Sequence, residues 1–315
     1  MHGLGGIYVI GALLCGAWLV PASALASSPA EQELRSAEWV RQGQLRQQAW
    51  RSAWLQGDVR QRWLVFSGHD GALVQLRELR ELVRQPMEDA FIVRVALSTV
   101  QRQEGLPAAE RDAIQAQLRA EIERLDADNA ITWVEALPDP RVVTPERLQQ
   151  VHALLQKVAD SPRIDIGFVP LIRYFADAPV APLTRGDAMV TAVALSAAIM
   201  PTFQPLAVWC REQPELRQVC ESAVLNLSGN ADTFLTRMIA LSVLDRVATT
   251  PELRAEVAVW RAEGKDLQER LVAFPNPGQA EDAAVEAFAE RWFRAYAEPG
   301  ATEISVAAAL STTVP

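Results

Sequence analysis

Residues 72–125 read ALVQLRELRELVRQPMEDAFIVRVALSTVQRQEGLPAAERDAIQAQLRAEIERL, and the spacing within them decides the fold class. Leu73, Leu76, Leu79, Leu82 and Val83 recur at three- and four-residue intervals, which puts them on one stripe of a helix over 72–84. Pro86 then predicts a new helix start, because a fixed φ and a missing N–H cost nothing in a first turn. That helix runs through Phe91, Val95 and Leu97 and ends near Gly105. Pro107 begins a third, with Ile114, Leu118, Ile122 and Leu125 along one face. Short connections leave consecutive helices side by side, so the segment reads as helical hairpins.

The same pattern extends in both directions. Upstream, 31–56 is a helix rich in Arg and Gln that Gly57 ends, followed by a short helix over 59–66. Ser67-Gly68-His69-Asp70-Gly71 is a turn, with Asp70 as N-cap of the next segment. Downstream, Asp128-Asn129 caps a short helix carrying Ile131, Trp133 and Val134. Thr144 caps another, with Pro145 at its first position, running to Val158. A helix or loop covers 167–175. Residues 189–200 are apolar almost all round yet too few for a membrane span of about 20, which predicts a central buried helix. Further helices are expected over 203–211, 214–227, 231–247, 251–273 and 281–297. The tail, 301–315, is small and apolar or Thr-rich, a composition that specifies no particular element. Strand alternation hardly appears, so the expected class is all-α, a stack of antiparallel helical hairpins.

The N-terminus reads as a signal peptide over 1–26. Residues 7–20 are apolar apart from Gly11 and Gly16, Pro21 breaks the run, and Ala24-Leu25-Ala26 supplies the small-x-small cleavage pattern. Its start departs from the usual form, with His2 but no Lys or Arg. The mature chain would be periplasmic or secreted, without a membrane span. It divides into a helical region over 27–137, a proline-rich linker or loop over 138–145 containing Pro138, Pro140 and Pro145, a second helical region over 146–300, and the tail.

Half of the 315 residues are hydrophobic and 22% are charged, a globular composition. The net charge is −9. Phosphate binding needs a concentrated positive field, so nucleic acid is not expected as a partner. Only Lys157 and Lys265 are lysines among the basic residues, which reads as the codon bias of a GC-rich genome. Cleavage removes Cys15 and leaves Cys210 and Cys220, an even count that predicts a disulfide in an oxidising compartment. Cys210 falls in the last turn of one helix and Cys220 less than two turns into the next, so the bond would staple one hairpin.

The junction Leu125-Asp126-Ala127-Asp128-Asn129-Ala130-Ile131-Thr132-Trp133 resembles the boundary between tetratricopeptide repeats, where an Asp-x-x-Asn turn precedes a helix with an early Trp. The likeness spans about a dozen residues. Pro138 then ends the helix where a repeat would continue, and no period near 34 residues recurs. The resemblance implies a scaffold whose concave face binds a protein or peptide, and it carries over no functional residue.

Catalytic constellations are missing from the sequence. After cleavage only His69 and His152 remain, so an H-E-x-x-H zinc site cannot form, and two cysteines are too few for a cysteine zinc site. There is no G-x-S-x-G elbow, P-loop or G-x-G-x-x-G. Cys210 and Cys220 are too far apart in sequence for a C-x-x-C redox couple. No cofactor or metal is therefore expected. Three features carry a functional reading beside a structural one. His69 and Asp70 could present a base to solvent or simply cap a turn. The acidic pairs Asp126/Asp128 and Glu281/Asp282 could suit glycosidase chemistry, or follow by chance from 39 acidic residues. Trp39, Trp50 and Trp54 fall within about 60° of one another on a helix, opposite Leu34, Leu45 and Ala49, and form a partner face or a buried seam. The expectation is a helical adaptor that binds a protein or peptide without catalysis; the alternative is a hydrolase with a carboxylate-based site in a helical cleft.

Overall fold

The computed structural model describes residues 29–67, 76–178, 180–271 and 282–311, with side chains for most of them. The expected signal peptide and the turn carrying His69 and Asp70 lie outside the described residues. Those residues form 15 α-helices and no strand, so the chain is all-α. In order they are α1 (Pro29–Trp54), α2 (Val59–Ser67), α3 (Leu76–Val83), α4 (Ala90–Arg102), α5 (Ala108–Leu125), α6 (Ala130–Glu135), α7 (Pro145–Asp160) and α8 (Phe168–Asp177). There follow α9 (Arg185–Ala198), α10 (Gln204–Glu212), α11 (Arg217–Asn230), α12 (Phe234–Val247), α13 (Pro251–Leu271), α14 (Asp282–Ala297) and α15 (Glu303–Ser311).

Local side chains start most of these helices. Asn129 accepts from the Ile131 N–H, Thr144 from Arg147 and Thr233 from Thr236, each satisfying an orphan donor of the first turn. Thr184 and Asp187 form a reciprocal capping box on α9. Several starts differ from expectation: α9 begins at Arg185 and not at 189, α11 at Arg217 and not at 214, and α12 at Phe234 and not at 231. The helix after Pro86 begins at Ala90, because the Asp89 carboxylate accepts from the Phe91 N–H and fixes the boundary there.

α4 packs on α5 and α2, α7 on α6 and α11, and α11 on α12, while α8, α9 and α14 form a second group of neighbours. α11 and α12 are joined only through Ala231, Asp232 and Thr233, so they run antiparallel. One continuous cluster of buried apolar side chains extends from Trp50 to Val306. The proline-rich stretch lies over this core, pinned where Trp209 Nε1 donates to the Pro138 carbonyl at 2.8 Å. The tail contributes too: Val306 and Ala307 of α15 are buried.

The helix expected to be central is only half covered. Met189, Ala192 and Leu195 of α9 face the core, whereas Val193, Ala194 and Ala197 are exposed. An apolar composition shows that a helix tolerates burial, but the number of neighbours decides how much of it is covered.

Cys210, in the last turn of α10, is bonded to Cys220, in the first turn of α11, with 5.6 Å between Cα atoms. A 3₁₀ turn, Pro214–Leu216, links the two helices. Closing so short a loop removes about 2–3 kcal/mol of unfolded-state entropy. Reduction of the folded protein should therefore lower its stability by about that amount. Non-reduced mass spectrometry should show the loss of two hydrogens, and complete alkylation of both thiols without reductant would contradict the bond.

Candidate functional site

A cleft of about 380 Å³ lies where the N-terminus of α4 meets the α5–α6 turn and the segment leading into α8. Arg94 enters from α4, nearly fully buried. Its sequence context, a single charge within Phe91-Ile92-Val93-Arg94-Val95-Ala96-Leu97, explains the burial. Apolar neighbours on both sides drag the guanidinium inward, and a buried charge must then be paired. It donates through Nη2 to Asp126 Oδ2 at 2.8 Å and to Thr132 Oγ1 at 2.6 Å, and through Nη1 to Glu135. Burial raises the Glu135 pKa even against the nearby Arg94 and Arg119 charges.

Asn129 ties this network to the segment before α8. Its Nδ2 donates to Asp126 Oδ2 at 2.8 Å and to the Asp165 carbonyl at 2.7 Å, and its Oδ1 accepts from the Asp165 N–H at 3.1 Å. Arg163 closes the outer side by bonding Asp126, Asp128 at 3.0 Å and Asp165 at 3.3 Å. Burial works against the Arg163 charge, and the Asp128 and Asp126 carboxylates overcome it, holding the guanidinium more firmly protonated than usual. The hydrogen bond from Arg163 in turn keeps Asp128 below the ordinary carboxylate range.

Gly167 shapes the cleft floor. Its φ of 88° is left-handed, and a Cβ there would come within 2.6 Å of Phe91 Cδ2. Both reasons demand glycine at the start of α8.

Behind the cleft wall, the Asp165 carboxyl faces Asp232, in the α11–α12 turn. Asp232 is 8% exposed, and neither of its carboxyl oxygens receives a well-formed hydrogen bond from a described residue. The backbone N–H groups of Ile166 and Asp232 approach it and favour the anion. Burial first, and the Asp165 carboxylate second, outweigh them and push its pKa up to about 8.

No protein-family model, curated protein or solved structure matches this chain. The site is therefore described by its own chemistry. Among the described residues no group of three or more His, Cys, Asp or Glu side chains is placed to hold a metal ion.

The residues singled out from the sequence are scattered. Asp126 lines the cleft and Asp128 reaches it only through Arg163, and each carboxylate is paired with arginine. Glu281 and the side chain of Asp282 lie outside the described residues, and His152 is exposed on α7. Trp50 and Trp54 are buried: their rings sit 4.6 Å apart and meet Phe175 of α8 at 5.8 and 5.4 Å. They form an internal seam, because α8 covers the face they offered to a partner. The Trp39 side chain lies outside the described residues. On the other side of α1, Leu45 and Ala49 are exposed.

Sequence reasoning missed Arg94, Arg163, Asp165 and Asp232. The lone charge inside the α4 apolar run was the one available signal. For the other three, partners distant in the chain give the residue its role.

Proposed function

We propose that this chain is an exported helical scaffold that binds a protein or peptide segment in the cleft beside α4 and the α5–α6 turn, without chemical turnover. One observation carries the reading: apart from Glu88, the ionised groups of the cleft wall are already bonded within the chain. Asp89 pairs with Arg60, Asp126 with Arg94 and Arg163, and Asp165 with Arg163 and the Gly167 N–H. A wall whose charges are internally satisfied, Glu88 at the mouth excepted, presents shape and a fixed field to a partner but no pair of free groups to act as acid and base. The likeness of 125–133 to a tetratricopeptide junction supports the same reading. So does the Trp133 indole N–H, which donates to the Ala127 carbonyl at 3.0 Å and braces that turn. Export is supported by the Ala24-Leu25-Ala26 pattern and is consistent with the Cys210–Cys220 bond.

A second reading, a carboxylate-based glycan hydrolase, draws on the Asp165–Asp232 pair and the neighbouring Phe168 and Tyr296 rings, 5.8 Å apart. The burial of Asp232 behind the cleft wall, away from anything bound in it, favours the scaffold.

The test is capture from the native periplasm with the mature chain, which should begin at Ser27, alongside a Glu88→Trp variant. Glu88 is exposed at the cleft mouth, so the indole should obstruct the cleft without touching the ion network. A partner recovered with the wild type should be lost with Glu88→Trp at an unchanged melting temperature. Equal recovery by both proteins would remove the cleft from the account.

A further inference from the structure

We propose that Asp232 is the trigger of an alkaline-sensitive latch: while its carboxyl is protonated, α15 and the end of α14 stay clamped on the N-terminus of α12, and its ionisation releases them.

The clamp is built from main-chain and side-chain bonds around one turn. The Glu303 N–H, at the start of α15, donates to the Asp232 carbonyl at 2.9 Å. The Phe234 N–H, in the first turn of α12, donates to Glu303 Oε2 at 2.8 Å. Tyr296, near the end of α14, is buried beside them, with Phe168 at 5.8 Å and Trp292 at 4.8 Å between ring centroids. Arg173 of α8 fastens the following chain, donating to the carbonyls of Tyr296 at 2.8 Å and Glu298 at 2.7 Å.

The groups meeting at this junction are acidic from every side. The segment before α8 brings Asp165, α15 brings Glu303, and α14 brings the Tyr296 phenol, whose own ionisation is opposed first by burial and then by Glu303 and Asp232. Arg163 is engaged on the cleft side of Asp165, and no guanidinium is among the groups acting on Asp232. Burial also raises Glu303, against the Phe234 N–H that favours its anion. A second negative charge at Asp232 would thus be buried beside carboxylates, with no cation among the described groups acting on it. Moving α15 away is a small rearrangement that lets water reach both Asp232 and Glu303, because α15 is a short helix of 9 residues.

The sign follows from proton binding. The folded chain holds a proton on Asp232 up to about pH 8, whereas the unfolded chain gives it up near the ordinary value of 3.8. The stabilisation is complete below the lower value, shrinks as pH rises between the two, and is gone above the upper one. The local clamp opens last in that window, as Asp232 itself ionises.

Hydrogen exchange on the mature chain, corrected for the intrinsic pH dependence of exchange, tests this. Between about pH 6 and about pH 9, protection of the α15 amides should fall by about tenfold or more relative to those of α11. Asp232→Asn keeps the shape and cannot ionise, so its α15 protection should stay level. Asp165→Asn removes the facing charge that disfavours the Asp232 anion and should move the transition to lower pH. Level protection in the wild type up to about pH 9, or a parallel loss in wild type and Asp232→Asn, would overturn the latch. If Asp232→Asn does not fold, an unshifted transition in Asp165→Asn overturns it instead.

Discussion

Replacing Arg94 with Met should lower the stability of the folded chain by about 3–5 kcal/mol near neutral pH, among the largest effects available from one side chain. The methionine fills much of the same space, so the loss reports charge and hydrogen bonding more than a cavity. Arg94 is 5% exposed and neutralises Asp126 and Glu135 together, while also donating to Thr132. Without it, Asp126 keeps Arg163 and Asn129, but Glu135 faces burial with no bonded cation. Glu135 already has a raised pKa and would take up a proton in the variant. The deficit should therefore narrow as pH falls. The double variant Arg94→Met/Glu135→Gln should be less damaged than the sum of its parts, since the stranded charge has gone. Urea unfolding at two pH values measures both effects. A loss below about 1 kcal/mol would show that solvent reaches this network and pays most of its desolvation already.

Trp50→Ala should cost a similar amount, about 3–5 kcal/mol, and Trp54→Ala nearly as much. Both rings are almost wholly buried and sit within one aromatic group with Tyr174 and Phe175. This group holds α1 to α8, and Arg60 lies over the Tyr174 ring at 4.4 Å, closing its outer side. Because the two indoles touch, the double variant should lose less than the sum, as the first cavity already loosens the second site. Trp50→Phe should be milder than Trp50→Ala. Its indole N–H has no hydrogen-bond partner among the described residues, so the phenyl ring removes an unsatisfied donor while keeping most of the contact. Thermal or denaturant unfolding decides the matter. Unchanged stability in the double alanine variant would return these residues to the surface as a docking face.

The two kinds of prediction draw on different levels of information. The helices were legible because their signals are local. Proline and a capping side chain act within one turn, so Thr144-Pro145 and Asn129 fixed starts that the folded chain keeps. Where two local signals competed, as at Pro86 and Asp89, the hydrogen-bonded cap set the boundary, because proline only permits a start. Cys210 and Cys220 were legible for the same reason: a turn joins their helices, so sequence spacing nearly determines their distance.

The sequence by itself thus determined that the chain is all-α, where most helices begin and end, and which cysteines meet. Tertiary structure alone decided which faces are covered. It buried Trp50 and Trp54 of the Arg- and Gln-rich α1 against α8, and left Val193 of the apolar α9 exposed. It also decided which charges act on one another. Arg94 meets Asp126 and Glu135, and Asp232 meets Asp165, only because α4, α6, the segment before α8 and α12 converge. Burial energy depends on the identity of neighbours supplied by distant parts of the chain, and electrostatic energy on their distance and on the water they exclude; neither quantity has a counterpart in the spacing of residues along a single helix.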